Sequence, residues 1–130
     1  MYILDTNICI YIINHRPAHV FERFQQVDFG NLCLSSITAC ELAFGVTKSG
    51  STRNKQALQN FLFPLTVLPL DDGVIWEYAD IRSQLEKKEQ LIGSLDMLIA
   101  AHARSLGFTL VSNNVKEFEG IPNLKLENWV

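Results

Sequence analysis

The stretch Met1-Tyr2-Ile3-Leu4-Asp5-Thr6-Asn7 decides the fold. Tyr2, Ile3 and Leu4 form an apolar run with strand propensity. Asp5 ends that run, and Thr6 and Asn7 are helix-capping types. The next apolar run, Ile8 to Asn14, reads as the helix that follows. A strand that delivers a carboxylate at its C-terminal end and passes at once into a helix is how open α/β sheets build ligand sites. Asp5 is therefore the first candidate site residue.

The rest of the chain extends the same alternation. Ala18 to Gln26 reads as a helix behind Pro17, with Val20, Phe21 and Phe24 facing inward. Gly30 and Asn31 make a turn, and Leu32 to Leu34 a short strand. Ser36 opens a helix from Ile37 to Thr47, and Lys48 to Thr52 is a polar loop. Arg53 to Phe63 is a further helix, stopped by Pro64. Leu65 to Leu70 carries Pro69 and reads as a sheet-edge strand. Asp71 or Asp72 caps a helix from Gly73 to Lys88. Ser94 caps another from Leu95 to Leu106, with Gly107 at its C-terminal end. Phe108 to Val111 is a strand in the uninterrupted apolar style of a buried parallel sheet. Asn113 and Asn114 turn, and Leu124 to Leu126 forms a last strand. Strands alternating with helices predict an α/β fold, a parallel sheet covered on both faces, in one domain over residues 1–130.

Composition narrows the function. At 130 residues and 48% hydrophobic, the chain is long and apolar enough to bury a core. A net charge of −3 argues against a protein that binds nucleic acid through a broad basic surface. Cys9, Cys33 and Cys40 sit in apolar runs without CxxC spacing. That pattern, with no leader-like or membrane-spanning stretch, points to buried thiols in a reducing cytoplasm.

The most informative feature is three solitary acids. Asp5 is the only charged side chain between Met1 and Asn14, Glu41 between Phe29 and Thr47, and Asp96 between Gln90 and Ala103. Each window otherwise reads as core, where an unpartnered carboxylate is costly. Helical geometry puts Glu41 on one face with Ile37, Phe44 and Gly45, and Asp96 with Ile99, Ala100 and Ala103. Both acids thus point along packing faces. They can be satisfied separately, be protonated, or converge on a shared cation. Two carboxylates ~4 Å apart repel by about 4 kcal/mol at an effective dielectric near 20, so convergence demands a counter-charge. An all-oxygen set without His or Cys favours Mg²⁺ or Mn²⁺ over zinc.

These segments resemble a known family. Leu-Asp-Thr-Asn at the start, Ser-Ser-Ile-Thr-Ala-Cys-Glu-Leu in the middle, and Asp-Met-Leu-Ile-Ala-Ala-His-Ala followed by Val-Ser-Asn-Asn-Val-Lys-Glu-Phe are similar to PIN-domain ribonucleases. More narrowly, they resemble the VapC toxins of bacterial type II toxin–antitoxin pairs. The resemblance covers essentially the whole chain, in order and spacing.

The resemblance implies a PIN-like three-layer α/β/α sandwich with a mainly parallel sheet. It implies that Asp5, Glu41 and Asp96 converge, with Asp5 and Asp96 the most direct ligands of Mg²⁺, for which Mn²⁺ can substitute. Asn7 accompanies the first acid. Ser112 stands where a Thr or Ser is usual, and Asn114 where many members carry a fourth acid. An amide is a neutral ligand, which weakens any second metal site; Glu117, three residues on, is the candidate replacement. The implied activity is metal-assisted hydrolysis of phosphodiester bonds in structured RNA, leaving a 5′-phosphate and a 3′-hydroxyl. A tRNA anticodon stem-loop, with initiator tRNA first, is the substrate the family suggests. The implied partners are a cognate VapB-type antitoxin and a second copy of the chain, within a larger toxin–antitoxin assembly.

Other residues are weighed against this frame. Lys48, Arg53 and Lys55 form a local basic run beside the Glu41 helix, and Arg104 lies two turns after Asp96; all four are candidate RNA contacts. His15, His19 and His102 lack metal spacing, and His102 reads as a satisfied helix histidine. Trp76, Tyr78, Phe61 and Phe63 read as core or a dimer face rather than base platforms. A phosphatase or receiver reading fails because Asn7 stands where a second Asp is needed and no Lys directly follows the Phe108 to Val111 strand. A catalytically impaired PIN-like module that binds RNA or a protein partner is the remaining alternative, and it rests on Asn114.

Overall fold

The protein is described by a computed structural model covering residues 1–130. Five short strands form one sheet: β1 (Tyr2–Leu4), β2 (Leu32–Ser35), β3 (Thr66–Leu68), β4 (Thr109–Val111) and β5 (Lys125–Glu127). Their order is β3-β2-β1-β4-β5, and every pairing is parallel. The topology reverses at β1, so the crevice beyond its C-terminal end is where a ligand site is expected.

Seven helices join the strands: α1 (Thr6–Asn14), α2 (Ala18–Gln26), α3 (Ser36–Ser49), α4 (Thr52–Leu62), α5 (Asp72–Lys87), α6 (Ser94–Leu106) and α7 (Val115–Phe118). Side chains alternate across the sheet as period-two geometry requires. Ile3, Cys33 and Leu110 face one core with α5, α6 and α7, through Ile81, Leu85, Ile99 and Phe118. Leu4, Leu32, Leu34 and Val111 face the other, with Ile8, Ile12, Val20, Phe24 and Leu58 of α1, α2 and α4. This is the three-layer sandwich expected. No helix is long and apolar enough to cross a membrane.

The structure adjusts several boundaries. α1 begins at Thr6, because Asp5 itself is the cap and accepts from the Thr6 N–H at 2.7 Å. α3 runs on to Ser49, so Lys48 is helical rather than in a loop; the turn is deferred to Gly50, whose φ of 65° ends the helix. Ser94 is the first residue of α6 rather than its cap, which is Gly93. The single turn α7 was not foreseen: its apolar content is too small to show a period, yet Phe118 is fully buried and pins it. Trp76 and Phe63 are 79% and 92% exposed and so take no part in the core. Cys9 and Cys33 are buried, but Cys40 is exposed.

Candidate active site

Asp5 stands where β1 becomes α1. Its N–H still belongs to the sheet, donating to the Val111 carbonyl, while its carbonyl already accepts from Cys9 in the helix. The side chain is only 3% exposed, and its two oxygens are separately held. Oδ1 accepts from the Thr6 N–H, and Oδ2 accepts from the Ser112 hydroxyl, each at 2.7 Å. Ser112 follows β4 and in turn accepts from the Asn114 N–H at 3.0 Å. Burial raises the Asp5 pKa, and these two hydrogen bonds pull against that rise.

Glu41 comes from the middle of α3 and accepts from the Thr6 hydroxyl at 2.8 Å. Thr6 is therefore a site residue that reading the sequence missed. The available signal was that its hydroxyl is spare, because the residue before it does the capping. Asp96 lies in the first turn of α6, where the helix dipole favours an anion. Gly93, its N-cap, borders that carboxylate: a Cβ there would lie 3.4 Å from Asp96 Oδ2, an ordinary contact. Glu117 arrives on α7, held in place by its buried neighbour Phe118.

The four acids sense one another. Burial pushes Asp96 up to about 6, and the charges of Asp5, Glu117 and Glu41 add to the rise. Glu117 comes close enough to share a hydrogen bond with Asp96. No lysine or arginine offsets this charge at either Asp5 or Asp96. Asp5, Glu41, Asp96 and Glu117 thus lie within electrostatic reach of one another. The structure places Ser112 on Asp5, but Asn114 takes part only through its backbone N–H. Asn7 is exposed in the first turn of α1.

The four basic candidates separate. Arg53 lines a groove of about 510 Å³ between α1, α3 and α4 that has Glu41 among its walls. Lys48 and Lys55 are exposed, and neither they nor Arg53 enter a salt bridge. Arg104 differs. It bonds Glu77 and Asp80 of α5 and the Pro122 carbonyl, near the far end of α6 from Asp96. Its charge is spent on holding α5, α6 and the segment before β5 together.

The oxygen-only donor set fits a hard divalent cation. No three Asp, Glu, His or Cys side chains converge tightly enough to clasp a bare ion. That still suits Mg²⁺, which commonly keeps several waters and binds through one or two carboxylates.

The family model described as the PIN domain matches residues 2–123. Ribonuclease VapC2 of Haemophilus influenzae is 46% identical over 130 residues, covering 99% of this chain and 98% of that protein. The chain belongs to the VapC ribonucleases of the PIN-domain family. Another VapC relative, the tRNA(fMet)-specific endonuclease VapC of Salmonella typhimurium, is 40% identical over 129 residues, covering 98% and 97% of the two chains. This VapC fold also matches a crystal structure of VapBC2 from Rickettsia felis bound to a DNA fragment from their promoter. The TM-score is 0.92 at 41% identity, over 99% of this chain and 98% of that one. The DNA-bound VapBC of Salmonella typhimurium matches with a TM-score of 0.90 at 39% identity, over 99% and 98%.

Proposed function

We propose that this VapC chain, as one domain, is a Mg²⁺-dependent endoribonuclease toxin for which Mn²⁺ can substitute. The observation that carries the reading is the gathering of Asp5, Glu41, Asp96 and Glu117 from four separate segments without a neutralising base. Such a cluster is an incomplete charge system that a divalent cation completes. Asp5 and Asp96 are the main ligands, with Glu41 and Glu117 supporting. The bound ion supplies Lewis-acid polarisation of a phosphate and a lowered pKa for the attacking water.

The protein's own part is orientation. Ser112 and the Thr6 N–H leave Asp5 a single set direction, and the Thr6 hydroxyl does the same for Glu41. Asn7 is exposed beside Asp5 and can position a water or a phosphate oxygen. Lys48, Arg53 and Lys55, free of salt bridges, are the phosphate contacts that extend the site along α3 and α4. Hydrolysis of this type leaves a 5′-phosphate and a 3′-hydroxyl.

Structured RNA, foremost the anticodon stem-loop of initiator tRNA, is the proposed substrate, in keeping with the name of the Salmonella relative. A VapB-type antitoxin is the proposed partner, as the solved relatives are VapBC pairs. A homodimer is supported by Val67, Leu70, Ile75 and Trp76, exposed apolar residues on or near β3 and the start of α5. The enzyme and its antitoxin act in the cytoplasm, where tRNA is found. The nearness of Glu117 to Asp96 weighs against the reading as an impaired binding module, which rests on Asn114.

The test is cleavage of bulk bacterial tRNA by antitoxin-free protein, followed by mapping of the new ends. Discrete fragments with 5′-phosphates, absent with EDTA and with Asp96→Asn, support the proposal. Intact tRNA from folded protein in both Mg²⁺ and Mn²⁺ refutes it.

A further inference from the structure

Glu41 and Asp96 sit on different helices, and no hydrogen bond joins them directly. The one side-chain hydrogen bond between α6 and the β2–α3 segment lies elsewhere. His102 Nδ1 and Ser35 Oγ are 2.8 Å apart, and both residues are buried, His102 at 2% exposure and Ser35 at none. Ser35 is six residues before Glu41, and His102 six after Asp96. Each end of this bond is therefore about 9 Å of chain from the acid it could govern.

Ser35 has a second task. Its Oγ accepts from the Ile37 N–H at 3.1 Å and so caps α3. A hydroxyl that accepts from a cap N–H has its proton free to donate, and neutral imidazole offers Nδ1 as the acceptor. Burial lowers the His102 pKa, against the pull of Asp71 at the start of α5, in keeping with a neutral ring. A serine beside a histidine also raises the question of a nucleophile. Full burial of Ser35, with its hydroxyl oxygen engaged at the cap and no room for a substrate, excludes that role.

We propose that His102 is a positioning residue, which by bonding the Ser35 cap of α3 fixes the helix carrying Glu41 against the helix carrying Asp96. The proposal rests on the ribonuclease reading for its activity readout. Its metal readout rests only on the metal-site part of that reading and needs no cleavage.

The experiment compares wild type with His102→Asn, His102→Gln and Ser35→Ala, each first shown to be folded by near-UV circular dichroism. Asparagine puts an amide where Nδ1 sits and keeps a partner for Ser35; glutamine reaches instead to the Nε2 position. The expected result is a kcat near wild type for His102→Asn. For His102→Gln and Ser35→Ala, kcat falls roughly ten- to a hundredfold at unchanged KM. Mn²⁺ affinity by calorimetry should weaken in the same two variants. If folded His102→Gln matches wild type in kcat and Mn²⁺ affinity, or if Asn is as damaging as Gln, His102 is merely structural. Should wild type fail to cleave, the Mn²⁺ series alone decides: a loss restricted to Gln and Ala supports the strut, and any other pattern overturns it.

Discussion

The Ser112 hydroxyl donates to Asp5 Oδ2 at 2.7 Å, across 107 residues of sequence. The bond joins the first residue past β1 to the first residue past β4, so the paired strand ends register the acid. Neither residue is more than 3% exposed. Ser112→Ala should therefore leave one buried carboxylate oxygen unpaired. The expected cost is about 1–3 kcal/mol of stability, with a larger proportional loss in kcat. Ser112→Thr keeps the hydroxyl and should retain most activity. Denaturant unfolding alongside steady-state cleavage checks both.

The elevated pKa of Asp96 makes the metal-free protein less stable at neutral pH. Its folded value of about 6 lies above the ordinary 3.8, so the folded state holds this proton more tightly than the unfolded state. The destabilisation is absent below about pH 4, grows as the pH rises, and is complete above about 6. Asp96→Asn should raise the melting temperature in EDTA at pH 7 and leave it unchanged at pH 4. Because Asp96 is only partly buried, solvent screening reduces the gain to about 1 kcal/mol. Mg²⁺ should reverse the order, stabilising wild type more than the variant. A variant less stable than wild type in EDTA at pH 7 would remove the argument that the acids repel.

Glu117 and Asn114 should respond oppositely to substitution. Glu117→Gln removes a charge beside Asp96 and should lower kcat by about tenfold or more. Asn114→Ala keeps the backbone N–H that bonds Ser112, and should leave kcat within about twofold. Phe118→Ala should mimic Glu117→Gln in activity while also costing about 3–5 kcal/mol in stability, since the buried ring is what holds α7.

The basic residues divide in the same way. Arg53→Glu should raise KM for RNA severalfold and flatten its salt dependence, with little change in melting temperature. Arg104→Ala should do the reverse, lowering the melting temperature and leaving KM alone. Its guanidinium is shared among Glu77, Asp80 and the Pro122 carbonyl.

What the sequence disclosed and what it hid have physical reasons. Asp5, Glu41 and Asp96 were legible because each is the only charge in a long apolar window, and a helix or strand period gives its direction. The parallel sheet was legible from apolar runs such as Tyr2–Leu4 and Phe108–Val111. Glu117 was legible only through the family resemblance, as the candidate replacement for Asn114, because Lys116 and Glu119 beside it make an ordinary charged turn and the burial of Phe118 has no local signature. Arg104 misled for a related reason. Its distance from Asp96 could be counted, but Glu77 and Asp80 lie on another helix, and that packing has no local signature. The Ser35–His102 bond spans 67 residues, and neither residue type announces it.

The most direct measurement is single-turnover cleavage of bulk tRNA across a Mg²⁺ titration, for wild type and Asp5→Asn, with folding of both confirmed. Saturable Mg²⁺-dependent cleavage by wild type, lost by about a thousandfold or more in Asp5→Asn, is the expected result. Equal cleavage by the two proteins, or wild-type cleavage that persists in EDTA, would contradict a metal site built on Asp5.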